Sequence, residues 1–189
     1  MCESRDWTPA SAMLAKLTRN MGRPPVPYDV AVRVYFRDGW LCSHCRRPTV
    51  FHLAIKLLGE RVARLLPSVP IAYWDPRWRR DQSPLLDQLA AEIDHVEAFS
   101  SGGAHAEANF ATICVKCKSR KGARTREQHL TIDAPRLVKG KYGEPTAWDG
   151  LASTYVMLAR ESIRALSVTE KGWLQAFESW YDTQRTNER

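Results

Sequence analysis

The sequence predicts a small α+β fold pinned by a metal, and three observations predict it. Two short strand-like runs, Ala91–Val96 and Phe110–Cys114, flank a loop of small residues, with helix-compatible segments before and after them. Four of the five cysteines form two Cys-x-x-Cys pairs, Cys42-Ser43-His44-Cys45 and Cys114-Val115-Lys116-Cys117. The hydrophobic fraction of 44% and charged fraction of 26% are those of a globular chain, and no apolar run reaches the roughly 20 residues of a membrane span. A chain disordered throughout and a membrane-spanning one are both excluded as readings.

The elements follow in order. Ser11–Leu17 is a short helical candidate, followed by Arg23-Pro24-Pro25-Val26-Pro27; together they read as an N-terminal arm. Tyr28–Trp40 is compatible with a helix, but its valines make a strand nearly as good a reading. Phe51–Leu66 carries apolar residues at helical spacing (Phe51, Ile55, Leu58, Val62) and is stopped by Pro67. Residues 71–84 form an irregular loop, aromatic and basic. Lys116–Gln128 is a helix with basic residues over most of its surface, and 133–145 is a loop. Trp148–Leu166 and Thr169–Tyr181 are amphipathic helices, the second with Glu170 in its first turn. The apolar faces of these two (Leu151, Tyr155, Leu158, Ala159; Trp173, Phe177, Trp180) read as core, with a homodimer contact as the alternative.

In a chain whose first residues, Met1-Cys2-Glu3-Ser4-Arg5-Asp6, lack a basic head and apolar stretch, no secretory signal is read and a cytoplasmic setting is expected. Disulfides are disfavoured there, so the two cysteine pairs are expected to bind a metal. Two thiolate turns brought together make the tetrahedral site that Zn²⁺ prefers, closed to substrate and hence structural. Cys42, Cys45, Cys114 and Cys117 are the ligands, and Cys2 is left over. The 68 residues between the pairs exceed a simple zinc ribbon, and the insertion is expected to fold as its own unit.

The formal net charge is +7, which makes an anionic partner plausible, nucleic acid first. The charge is concentrated: Cys114–Lys141 holds nine basic residues against two acidic ones. A helix so charged suits a phosphate backbone, and Arg120, Lys121, Arg124 and Arg126 are the expected DNA contacts. Arg77, Arg79 and Arg80, beside Trp74 and Trp78, are a second candidate patch.

Residues 93–122 read Ile93-Asp94-His95-Val96, then Gly102-Gly103, Asn109-Phe110, Cys114-x-x-Cys117 and Arg120-Lys121-Gly122, and they are preceded by Arg37-Asp38-Gly39-Trp40-x-Cys-x-x-Cys. In this order and spacing the sequence resembles the HNH endonucleases. The resemblance implies a ββα-metal core, here stabilised by the zinc pairs and carrying helical N- and C-terminal additions. It implies an arm at 1–27, a nuclease domain at 28–130 with an insertion at 51–90, and a helical extension at 131–189. It also implies DNA phosphodiester hydrolysis with Mg²⁺ or another divalent metal, in a bacterial or phage setting. His95 is then the general base, a role that suits imidazole as a side-chain type, since its ordinary pKa lies near 6.5. Asp94, its neighbour on the opposite strand face, is then the metal ligand. Asn109 is implied to fix the histidine-bearing loop through its backbone, and Gly102 and Gly103 let that loop turn.

The third position departs from the family. Where His or Asn usually gives a second metal ligand, this chain has Lys118, and a protonated ammonium has no acceptor. Three outcomes are open: metal binding is weakened, leaving a DNA-binding protein; Lys118 supplies charge beside the phosphate; or Glu92, His105 or Glu107 ligates instead. The expected catalytic set is His95, Asn109 and Lys118.

Overall fold

The computed structural model describes residues 24–68, 86–122, 124 and 148–187. Among them the order is α1 (Tyr28–Arg37), α2 (His52–Leu65), β1 (Ala91–His95), β2 (Phe110–Cys114), α3 (Val115–Lys121), α4 (Ala152–Glu161) and α5 (Val168–Asn187). Single 3₁₀ turns lie at Asp87–Leu89, Phe99–Ser101 and Glu107–Asn109. The short N-terminal helix and the loops at 71–84 and 133–145 fall outside the described residues. None of the described helices is long and apolar enough to cross a membrane.

The segment that sequence left between helix and strand is helical. Its valines lower helix propensity, but Ala31, Val32, Val34 and Tyr35 are buried on one side, and burial outweighs a few tenths of a kcal/mol per residue. Pro27 enters it, Asp29 pairs with Arg33 one turn on at 2.9 Å, and positive φ at Gly39 ends it. At the start of α5, Ser167 and Glu170 close a capping box: Glu170 Oε2 accepts the Ser167 amide at 2.7 Å, and Ser167 Oγ accepts the Glu170 amide at 3.3 Å.

Helix α3 is shorter than expected. It stops at Lys121, where Gly122 takes φ +57° and returns its amide to the Lys118 carbonyl at 3.1 Å. A helix running on to Gln128 would need a glycine interior to it, and the chain uses that glycine as a stop.

One aromatic core unites the two halves of the chain. Trp40 stacks on Tyr35 and on Phe177, with centroids 4.7 and 6.3 Å apart, and Phe51 meets Tyr155, Trp173 and Phe177 edge-on. Leu53, Ala54 and Leu57 of α2 join this cluster, as do Tyr155, Leu158 and Ala159 of α4. Residues 52–65 therefore do not fold as a separate unit, because their apolar face finds its partners on α4. The face of α4 and α5 considered for a dimer contact is taken up by this core or packs on it.

Strands β1 and β2 are antiparallel, with Asp94 opposite Ala111 and His95 opposite Phe110. Val96 N bonds Asn109 O and Val115 N bonds Ala90 O, at 2.9 and 3.0 Å. The alternation of an antiparallel ladder then gives the exchanged bonds to the Glu92/Ile113 and Asp94/Ala111 pairs, and turns the carbonyls of Ile93 and His95 outward. The outer edge of β2 is closed by side chains and by the first cysteine turn. Arg37 Nη2 donates to Phe110 O and the Thr112 amide donates to Asp38 Oδ2, both at 2.7 Å. Ser43 N donates to Thr112 O at 2.8 Å. A bare strand edge is thus covered without a third strand.

Candidate active site and metal clamp

The two cysteine turns meet at the end of β2. The four sulfurs lie within 4.8 Å of one another, and Cys45 Sγ is 3.9 Å from Cys114 Sγ. Four thiolates about 2.3 Å from a tetrahedral zinc would sit about 3.8 Å apart, so the set fits a metal. Backbone amides of Cys45 and Cys117 point at the sulfurs of Cys42 and Cys114 at 3.5 and 3.4 Å. Hydrogen bonds from Cys114, Cys117 and Cys45 push the Cys42 thiol far below a free thiol, and those from Cys114 and Cys117 hold Cys45 at about 7. The same network of sulfur contacts pushes the Cys114 and Cys117 thiols up, so the thiolate character sits with the first pair. Cys42 and Cys114 are buried with Ile113 in a small second core.

At the other end of the sheet, alternation along β1 buries Ala91, Ile93 and His95 and leaves Glu92 and Asp94 half-buried on the opposite face. His95 is 2% exposed, edge-on to Phe110 at 4.9 Å, with Nε2 3.3 Å from His105 Nδ1. Asn109 holds the loop that brings His105 there. Its Oδ1 accepts the Glu97 amide at 2.8 Å, and its Nδ2 donates to the carbonyls of Glu97 at 3.0 Å and Ala104 at 2.8 Å. Glycine is required within this loop: a Cβ on Gly103 would stand 2.1 Å from Glu97 O, and Gly102 takes φ +97°. Asp94, His95, Ala98, Phe99, Ser100, Lys121 and Gly122 line a cleft of about 260 Å³.

Helix α3 lies over the Glu92/Asp94 face and answers it twice. Lys118 Nζ is 2.6 Å from Glu92 Oε2 and 3.0 Å from Ile93 O. Lys121 Nζ is 2.5 Å from Asp94 Oδ2 and 3.0 Å from His95 O. Each lysine joins a β1 carboxylate to the outward carbonyl of the next residue. Three residues of helix and two of strand bring the pattern round again. Lys121, expected among the DNA contacts, is 3% exposed and turned inward.

These residues do not fit a divalent ion as they stand. Asp94, the expected ligand, already faces an ammonium, and Lys118 brings a second cation to the place of the other ligand. Glu92 is held by Lys118, and Glu107 is drawn to Arg33 at 3.0 Å on the α1 side. His105 is engaged with His95. Among the described residues the four cysteines are the one grouping of three or more ligand side chains suited to a metal.

Of the other expected contacts, Arg120 is exposed on α3. Arg124 folds back so that its guanidinium donates to the carbonyls of Lys121 and Arg120, closing the helix end. Arg126, Arg77, Arg79 and Arg80 lie outside the described residues. Sequence reasoning missed the two-fold lysine pattern and the pairing of His105 with His95. The i, i+3 spacing of Lys118 and Lys121 against the i, i+2 spacing of Glu92 and Asp94 was the available signal for the first. Nothing local signals the second, since the Asn109 amide creates it.

No curated protein and no solved structure matches the chain. Residues 82–124 match the family model described as HNH endonuclease, a span that holds β1, the Asn109-closed loop, β2 and α3. Over residues 82–124 the chain is similar to the HNH endonuclease family.

Proposed function

We propose that the protein is a nuclease that hydrolyses DNA phosphodiester bonds, with His95 taking the proton of the attacking water. The observation that carries this reading is the cleft at the end of β1, where His95 and Asp94 come from opposite strand faces to line one space beside Lys121. His95 is held in place by the His105 ring and the Asn109-closed loop, which suits a base that must be presented in one orientation. Zinc is the metal we assign to the four thiolates, where it joins the first cysteine turn to the strand pair and leaves no open position for chemistry. Glu92 and Asp94 are held by ammonium groups, so the role given to His95 is argued without a divalent ion bound to them.

A second reading, a protein that holds DNA without cutting it, is favoured by those two lysine pairs. Supercoiled plasmid incubated with Mg²⁺ or Mn²⁺ separates the two. Nicking by the parent protein that is lost in His95→Ala supports the nuclease. Activity gained only in Lys118→Asn supports the binding reading. If neither the parent nor Lys118→Asn cuts duplex or single strands, the nuclease assignment fails.

A further inference from the structure

Three described residues other than glycine hold a positive φ: Trp40 at 56°, Arg46 at 58° and Leu151 at 66°. A Cβ makes this region unfavourable, so each needs a compensating interaction. Trp40 has one, since its ring is fully buried in the aromatic core. Leu151 has one, packed against the same cluster. Arg46 has none among the described residues. Its side chain is exposed, and its guanidinium makes no hydrogen bond or ion pair among the described residues. Only its backbone is used, with Arg46 N on Cys42 O at 2.9 Å and Cys42 N on Arg47 O at 3.0 Å. A glycine would make the same turn at less cost.

The neighbourhood repeats the pattern. Arg47 is exposed, Lys116 is half-exposed, and neither has an ion pair among the described residues. No Asp or Glu occurs in residues 41–49 or 114–122. The cysteine clamp and the Ser43–Thr112 hydrogen bond press these two stretches together. Lys118 and Lys121 of the second stretch are neutralised by Glu92 and Asp94. The clamp therefore presents three cations with no counter-charge among the described residues, beside Arg120.

We propose that Arg46, Arg47 and Lys116 contact the DNA phosphate backbone, so that the metal clamp is a nucleic-acid-binding surface as well as a structural pin. The assignment rests on DNA being the partner, as read above. The complementary ligand is a polyanion without base preference, because guanidinium and ammonium groups on an exposed turn meet phosphate oxygens and not base edges.

The test is fluorescence anisotropy of a labelled duplex titrated with the full chain, from about 50 to about 200 mM salt without added divalent ion, beside thermal melting. Arg46→Gly is expected to keep or raise Tm while weakening binding several-fold, and to flatten the slope of log K against log salt by about 0.9, one phosphate contact. Arg47→Gln should weaken binding alike at unchanged Tm. Variants that bind as the parent does overturn the assignment while leaving the DNA reading intact. A fall in Tm with loss of zinc in Arg46→Gly makes the residue structural and also overturns it. A parent that binds no duplex at low salt removes the DNA reading and this surface together.

Discussion

Lys121 buries its ammonium against Asp94, 2.5 Å from Oδ2, and ties the same nitrogen to the carbonyl of His95. A cation so enclosed is worth most when its partner is lost. Lys121→Met leaves the Asp94 carboxylate facing no charge and is expected to cost about 3 kcal/mol in urea unfolding, with Asp94→Leu in the same chain restoring most of it. A loss below about 1 kcal/mol would place the pair with ordinary surface ion pairs.

Asn109 makes three hydrogen bonds to two turns of one loop. Asn109→Ala removes all three, and at roughly 1 kcal/mol each it should lower stability by about 2–3 kcal/mol. The sharper readout is hydrogen exchange at the Glu97 amide, which should lose its protection. Unchanged protection there would show that the loop is held by its glycines alone.

Glu170 gives the fold an acid sensitivity. Burial alone would raise its pKa, but hydrogen bonds from Lys56 and Ser167 outweigh that and hold the carboxyl below the usual glutamate range. A carboxyl lowered in the folded state contributes its stability in full above the unfolded pKa of about 4.3, and loses it as pH falls through the lower folded value. Glu170→Gln should therefore cost about 1–2 kcal/mol at pH 7, and the two melting curves should converge as pH drops below about 4. A gap that stays constant down to about pH 3 contradicts the assignment.

Elemental analysis of freshly purified protein is expected to find about one zinc per chain, and chelation should unfold the β2 end of the sheet first. Protein free of zinc yet fully folded would refute the thiolate site.

Much of this architecture was legible in the residues. Strand alternation placed His95 and Asp94 on opposite faces, and the cysteine spacing gave the clamp. Tyr28–Arg37 stayed ambiguous because its valines favour extended backbone locally, and the burial that decides for a helix comes from α5, at the far end of the chain. The pairing of Lys121 with Asp94 was hidden for a related reason. A basic residue on an exposed-looking helix reads as surface until the helix stops at Gly122 and turns that side of α3 onto the sheet. His105 needed the Asn109 loop to bring it to His95, and a side-chain amide bonding backbone leaves no periodic trace.

The union of Trp40 with Phe177 also bears on the order in which the core assembles. A chain emerging from synthesis carries the HNH segment well before α5, and until α5 arrives Trp40, Phe51 and Tyr155 lack much of their aromatic packing. Contacts between distant parts of a chain form late and slowly. The cysteines can gather their metal before α5 is made, whereas Trp40, Phe51 and Tyr155 complete their ring packing only after it.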